Sequence, residues 1–212
     1  MQLTYLGHSC FRLVRNGFAL ILDPYQKGSV PGLKPLKETA NQVICSHRHA
    51  DHFAFREIRI SQTRADTPFI VEFIPTWHDG KEGALRGENN ITVIDVYDHK
   101  IVHMGDIGCD LTDEQLKKIH GCDILLMPAG GYYTLEPDKA AELTERIAPK
   151  TVIPMHYRGD GFGYDEIATV EPFIDALVAS GYELIREGST VTSDLDSPDP
   201  DKKIILMTPQ NI

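Results

Sequence analysis

Apolar residues in this chain come mostly in short blocks with polar breaks, a pattern of strands more than of long helices. Residues 3–6 and 10–14 read as two strands joined at Gly7-His8-Ser9. Asn16-Gly17 is a hairpin signal leading into a third block, 18–22, which Asp23-Pro24 stops. Residues 26–35 hold two glycines and two prolines and read as a loop. A strand follows at 42–45, then a short helix opening at Asp51-His52 and running to about 58. Residues 69–74 form a strand ending at Pro75, 81–90 a loop, and 91–97 and 101–104 strands around a turn at 98–100. Thr112-Asp113-Glu114-Gln115 suits a helix start, with Leu116 and Ile119 apolar behind it. A strand at 123–127 is closed by Pro128, a helix spans 136–148 with Pro137 in its first turn, and a strand spans 151–154. A helix is predicted over 166–180, capped by Gly181. The acidic, proline-containing stretch 191–203 reads as an exposed linker, and 204–207 as a last edge strand. Meander strands followed by strand–helix units predict a sheet with helices outside and leave several α/β architectures open.

Composition narrows the class. A chain of 212 residues makes one large domain or two small halves and buries a sizeable core. Its longest apolar runs, such as 18–22, are far too short to span a bilayer, so no membrane association is expected. The start Met1-Gln2-Leu3-Thr4-Tyr5 lacks the basic and apolar regions of a signal peptide. Four scattered cysteines without a C-x-x-C suggest reduced thiols and a cytoplasmic protein. The net charge of −10 repels phosphate backbones, so no nucleic-acid partner is expected. It leaves a small-molecule substrate, an anionic one included, because a bound metal reverses the local field. A homo-oligomer is left open.

The chemistry concentrates in His47-Arg48-His49-Ala50-Asp51-His52. Three histidines and a carboxylate in six residues are the donors a borderline-soft divalent ion prefers. The plain alternative is an exposed polar turn. His78, Asp106 and His156 follow three further predicted strands, and together with the first cluster they make a metal-binding constellation.

H-x-H-x-D-H followed in order by His, Asp and His resembles the metallo-β-lactamase superfamily. Leu6-Gly7-His8-Ser9-Cys10, His103-Met104-Gly105-Asp106 and Pro154-Met155-His156-Tyr157 resemble its L-ascorbate-6-phosphate lactonase-like branch. The resemblance runs from about Leu3 to Phe173. It implies a single domain over 1–212 with a four-layer αββα sandwich, an α/β fold whose metal site lies at one edge between the sheets. It also implies that His47, His49 and His78 hold one metal, that Asp51, His52 and His156 hold a second, and that Asp106 bridges them. The cofactors would be two divalent ions, zinc by default, with manganese or iron fitting the same set. A hydroxide between the ions would attack a small ester, lactone or phosphoester, with Asp51 relaying a proton and His8 orienting substrate or a ligand. Histidine at position 49 separates the chain from the flavin-linked di-iron branch, which carries Glu there. Two rival readings are a phosphodiesterase or nuclease of the same fold and a non-catalytic metal-binding protein. The first is disfavoured by the absence of a basic, aromatic-interleaved stretch.

Weaker features remain. Residues 129–134, with Gly130-Gly131, are either a phosphate cradle or a plain turn. Asp79 is either an acceptor for a metal-bound imidazole or the start of a loop. Tyr157 and Arg158 are candidate anion contacts. Cys109 stands where relatives carry His and is not assigned as a ligand. His103 reads as core or as support for a ligand, His99 and His120 as surface residues, Trp77 as core, and 194–201 as solvated.

Overall fold

Strict alternation in the first three strands sorts their side chains between two layers. Leu3, Tyr5, Phe11, Leu13, Leu20 and Leu22 point to one face and Leu6, Cys10, Ala19 and Ile21 to the other, all buried. A sheet buried on both faces must sit inside a layered fold. The computed structural model describes residues 1–63, 65–97, 99–192 and 202–212. Asp98 of the expected turn and the stretch 194–201 lie outside the described residues.

The first strands are β1 Gln2–Gly7, β2 Cys10–Arg15, β3 Phe18–Leu22, β4 Thr39–Ala40, β5 Gln42–Ile44, β6 Arg59–Ile60 and β7 Ile70–Trp77. They continue with β8 Glu88–Val96, β9 His99–His103, β10 Ile124–Pro128, β11 Thr151–Met155, β12 Glu183–Glu187, β13 Thr190–Thr192 and β14 Lys203–Met207. Helices α1 Asp113–Ile119, α2 Pro137–Ile147 and α3 Glu171–Ala179 connect β9 to β10, β10 to β11, and β11 to β12. Thr112 caps α1 through a reciprocal bond pair with Gln115, as its sequence predicts.

Two sheets lie face to face. One has the order β13-β1-β2-β3-β5, the other β12-β14-β11-β10-β9-β8-β7. Leu3, Tyr5, Phe11, Leu13, Leu20 and Leu22 of the first meet Ile94, Ile101, Leu126, Ile153 and Met155 of the second. The outer face of the larger sheet buries Leu125, Val152 and Ile204 with Leu143 and Ile147 of α2 and Phe173 and Leu177 of α3. The outer face of the smaller sheet is covered by Tyr25, Val30, Leu33, Leu36 and Ile58. This is the expected metallo-β-lactamase-type α/β sandwich. Strands β7, β9 and β11 run in one direction, so their C-terminal ends share one edge.

Several element predictions need correction. Residues 51–58 form a loop with one 3-10 turn, Phe55–Glu57, instead of a helix. The backbone here is tied by other bonds: the His52 and Phe53 amides go to the His49 carbonyl and the Ala54 amide goes to the Pro24 carbonyl, so the chain turns away before a helix can propagate. Strand β7 passes through Pro75 to Trp77, because β7 is an edge strand where a missing N–H costs no ladder bond. Helix α3 begins at Glu171, not 166, since the preceding residues are used for a bridge between Arg158 and Thr169. Val191 and Thr192 belong to β13 and pair with β1 instead of opening a linker. Strand β14 lies between β11 and β12 and is not an edge; β12 itself gave no sequence signal.

Candidate metal centre

The first cluster is delivered by the end of β5 and fixed by a carboxylate from its neighbour. Leu22 of β3 pairs with Ile44 of β5, which places Asp23 beside Ser46. Asp23 Oδ1 accepts from Ser46 N at 2.7 Å, and Oδ2 accepts from His52 Nδ1 at 2.8 Å and from the Ser46 hydroxyl. Ser46 Oγ in turn lies 2.9 Å from His47 Nδ1. Since the hydroxyl donates to Asp23, it accepts from His47. Both imidazoles therefore carry a proton on Nδ1, which leaves Nε2 as the atom facing the centre. The amides of His52 and Phe53 both bond the His49 carbonyl, closing a tight turn that brings His49, Asp51 and His52 to the same side as His47.

The other three candidates arrive from strand ends of the larger sheet. His78 follows β7, and its backbone is approached so closely by Gly108 that a Cβ there would stand 2.4 Å from the His78 carbonyl. Asp106 follows β9 through Gly105, which has φ +57° and leaves no room for a side chain beside Asn89. Asn89 Oδ1 accepts the Asp106 amide at 3.0 Å while its Nδ2 donates to Thr76 Oγ1 and the Met104 carbonyl. His103 supports the same turn, with Nε2 donating to the Ser9 carbonyl and Nδ1 accepting from Gly105 N. His156 follows β11 in a left-handed conformation, its amide bonded to the His8 carbonyl at 3.0 Å.

All seven candidates meet. Asp106 Oδ2 lies 3.2 Å from His52 Nε2, 3.2 Å from His78 Nε2, 3.1 Å from His156 Nε2 and 3.9 Å from His47 Nε2. Donor atoms of His47, His49 and His78 lie within 4.8 Å of one another, as do those of Asp51, His52, His156 and His8. His47 Nε2, His52 Nε2, His156 Nε2 and Asp106 Oδ1 are buried without a hydrogen-bond partner. Inward-facing, unsatisfied nitrogen and oxygen donors of this kind fit a divalent cation.

Electrostatics agree. Burial pushes His47 down to about 3, with His52 beside it adding to the effect, and His8 down to about 4, with His156 adding. Burial and His78 also lower His49. Burial opposes charge on Asp106, but His156 and His52 outweigh it and hold the carboxyl well below its ordinary range. Asp51 is lowered in the same way by His52 and His8. His52 goes the other way: against burial, Asp106 and Asp51 raise it well above its ordinary value. Lowered His47 and His49 beside ionised Asp51 and Asp106 suit a metal-ligand set, and a bound cation would replace the positive charge that the carboxylates favour on His52.

Above this floor lies a cavity of ≈ 290 Å³ lined by His49, Asp51, His78, Asp106 and His156, with Arg86, Tyr133 and Tyr164 around it. Asp51 Oδ2 lies 3.2 Å from His8 Nε2 and 3.1 Å from the Tyr164 hydroxyl.

Residues 2–156 match the family described as the Beta-lactamase superfamily domain. The chain belongs to the metallo-β-lactamase superfamily. A UPF0173 metal-dependent hydrolase of Carboxydothermus hydrogenoformans is 28% identical over 192 residues, covering 74% of this chain and 84% of that one. Another from Pelotomaculum thermopropionicum is 24% identical over 227 residues, covering 90% and 99%. A solved Thermotoga maritima structure, described as a Zn-dependent hydrolase of the superfamily, is 26% identical with a TM-score of 0.73, covering 97% and 98%. This superfamily member is accordingly a metal-dependent hydrolase.

Within the superfamily site, several sequence readings resolve. Asp79 starts a loop: its carboxylate accepts the amides of Lys81, Gly83, Leu85 and Arg86 and no imidazole. Gly130 is required because His156 packs against it, with its carbonyl 2.4 Å from where a Cβ would stand. The Tyr132 and Tyr133 amides bond Glu136 and Gly131, so of 129–134 it is the Tyr133 ring that reaches the cavity. Tyr157 is buried against Phe162, and Arg158 is exposed; neither lines the cavity. Trp77 is 38% exposed on the edge strand instead of packing in the core. Cys109 packs against the core and joins no candidate ligand group. Asp23, Asn89, Arg86 and Tyr164 escaped the sequence reading. An aspartate ending the strand before the histidine motif was the one signal on offer for Asp23.

Proposed function

We propose that this hydrolase is dinuclear and acts on a small ester, lactone or phosphoester. The observation that carries the reading is the position of Asp106 Oδ2, within 3.1–3.9 Å of imidazole nitrogens from both candidate ligand sets. His47, His49 and His78 would hold one ion, Asp51, His52 and His156 the other, and Asp106 would bridge. Bound there, two divalent ions supply a water ionised at neutral pH and polarise the substrate's oxygen. Zinc suits the imidazole-rich donors; manganese and iron fit the same set. Asp51 is held ionised by His52 and His8, and its proposed part as proton relay requires that hold to loosen as the reaction proceeds. His8 and the Tyr164 hydroxyl both lie against Asp51 Oδ2, which is also 3.7 Å from His52 Nε2, so they position the carboxylate beside the centre.

The finer placement beside the L-ascorbate-6-phosphate lactonase-like hydrolases is part of this reading. It is supported by Gly7-His8, Gly105-Asp106 and His156, which all contribute to one site. Four free cysteines suit a reducing, cytoplasmic setting, and among the described residues no helix is long and apolar enough to cross a membrane.

Asp106→Asn tests the reading. Loss of a side chain that merely orients a ligand costs 10–100-fold, so removing the bridge is expected to cost more than about 100-fold in activity on an ester and lactone panel. Metal content should fall below two per chain while circular dichroism is unchanged. Unaltered metal content with full activity overturns the proposal.

A further inference from the structure

We propose that Arg86 recognises an anionic group on the substrate, which makes the substrate a small ester or lactone bearing a carboxylate or phosphate. This deepens the hydrolase reading above and rests on it. Five lysine or arginine side chains are paired with carboxylates: Arg12 with Glu38, Lys118 with Glu72, Lys139 with Glu142, Arg146 with Asp110 and Lys150 with Asp123. Arg86 has no carboxylate within ion-pair distance among the described residues. It is half-buried, and it is the one lysine or arginine lining the cavity above the candidate metal centre.

Its placement is built. Asp79 fixes the Arg86 backbone through the amide bond at 2.7 Å. Guanidinium Nη2 donates to the Tyr132 carbonyl at 3.1 Å, and the group lies 5.6 Å over the Tyr133 ring. Those contacts hold the plane and leave the rest of its N–H fork without a protein acceptor. Such a fork matches the paired oxygens of a carboxylate or phosphate. The cavity's own carboxylates, Asp51 and Asp106, are engaged by histidines, so neither competes for it. A guanidinium above a divalent centre makes this pocket positive inside a chain of net charge −10, which draws in small anions. A volume of ≈ 290 Å³ sits at the lower limit of ligand pockets and suits a compact substrate.

The test compares wild type, Arg86→Gln and Arg86→Lys, each metal-loaded. Kinetics use 4-nitrophenyl acetate and mono-4-nitrophenyl succinate, a neutral and a carboxylate ester with one leaving group. Calorimetry measures binding of succinate, which carries only carboxylates, and of methyl phosphate, which carries only a phosphate, so the pair separates a carboxylate site from a phosphate site. Arg86→Gln is expected to lower the succinate-to-acetate ratio of kcat/KM by about 10- to 100-fold, mainly through KM. It should weaken at least one of the two anions by a similar factor, and Arg86→Lys should recover part of both losses. An unchanged ratio together with unchanged binding of both anions overturns the assignment. Wild type that turns over neither ester counts against the ester part of the proposed substrate range, and calorimetry then decides the role of Arg86 alone.

Discussion

Replacing Asp23 with Asn should reverse the protons of two candidate ligands at once. Asp23 is buried and accepts three bonds, from Ser46 N, the Ser46 hydroxyl and His52 Nδ1. Asparagine has the same shape, and its oxygen must stay on the Ser46 amide, because an NH₂ there would face another N–H. The new NH₂ group then points at His52 Nδ1 and Ser46 Oγ. His52 must accept on Nδ1 and carry its proton on Nε2. Ser46, now an acceptor from Asn, donates to His47 Nδ1 and switches His47 in the same sense. One ligand of each proposed ion is lost. At 10–100-fold in affinity per disturbed ligand, each site should weaken by about 1.4–2.7 kcal/mol. Asp23→Ala differs: it leaves the Ser46 amide, the Ser46 hydroxyl and the His52 N–H unpaired, at about 1–3 kcal/mol each. That is a large share of a typical total stability of about 5–15 kcal/mol. The assay is metal stoichiometry and chelator-competition affinity for both variants, with calorimetric unfolding of the metal-free proteins. Asn should lose metal and keep its fold; Ala should lose both. Asp23→Asn that binds two ions with wild-type affinity refutes the tautomer argument.

Two further outcomes follow from the same geometry. Leu13, fully buried between the sheets, should cost about 2–5 kcal/mol as Leu13→Ala, seen as a lower denaturant midpoint with metal stoichiometry unchanged. Stripping metal with a chelator, from a starting point of free metal at 100 times Kd, should remove about 2.7 kcal/mol per site and lower Tm by about 5–11 °C per site in calorimetry; an unchanged Tm would mean the cluster holds no ion.

The seven candidate ligands are legible in the sequence because each sits at or just after the end of an apolar strand block. His78, Asp106 and His156 end β7, β9 and β11, which run in one direction, so chain order alone carries them to one edge. What orients them is not legible. Asp23 acts because Leu22 pairs with Ile44, and Asn89 acts because Asn89 pairs with Thr76; both are cross-strand facts that linear order does not contain. Arg86 reads as one more polar loop residue until Asp79 is seen to gather the loop beneath it. The extra helix over 51–58 has the same origin. A helix start fits those residues locally, and what replaces it is a long-range bond from the Ala54 amide to the Pro24 carbonyl that the sequence does not reveal.

The buried donors also explain why folding and holding an ion are linked here. Four buried donor atoms, on His47, His52, His156 and Asp106, have no hydrogen-bond partner, and each such atom costs about 1–3 kcal/mol when left unmet. His52 relieves part of that cost by holding a proton between Asp106 and Asp51, which is why it is raised while burial drives His47 and His8 down. A divalent ion does the same work better, satisfying the nitrogens and the carboxylate together and displacing the His52 proton. Because Asp106 and Asp51 favour a charged His52, metal binding should release protons, seen in calorimetry as a binding enthalpy that changes with the ionisation enthalpy of the buffer; an enthalpy independent of the buffer refutes it.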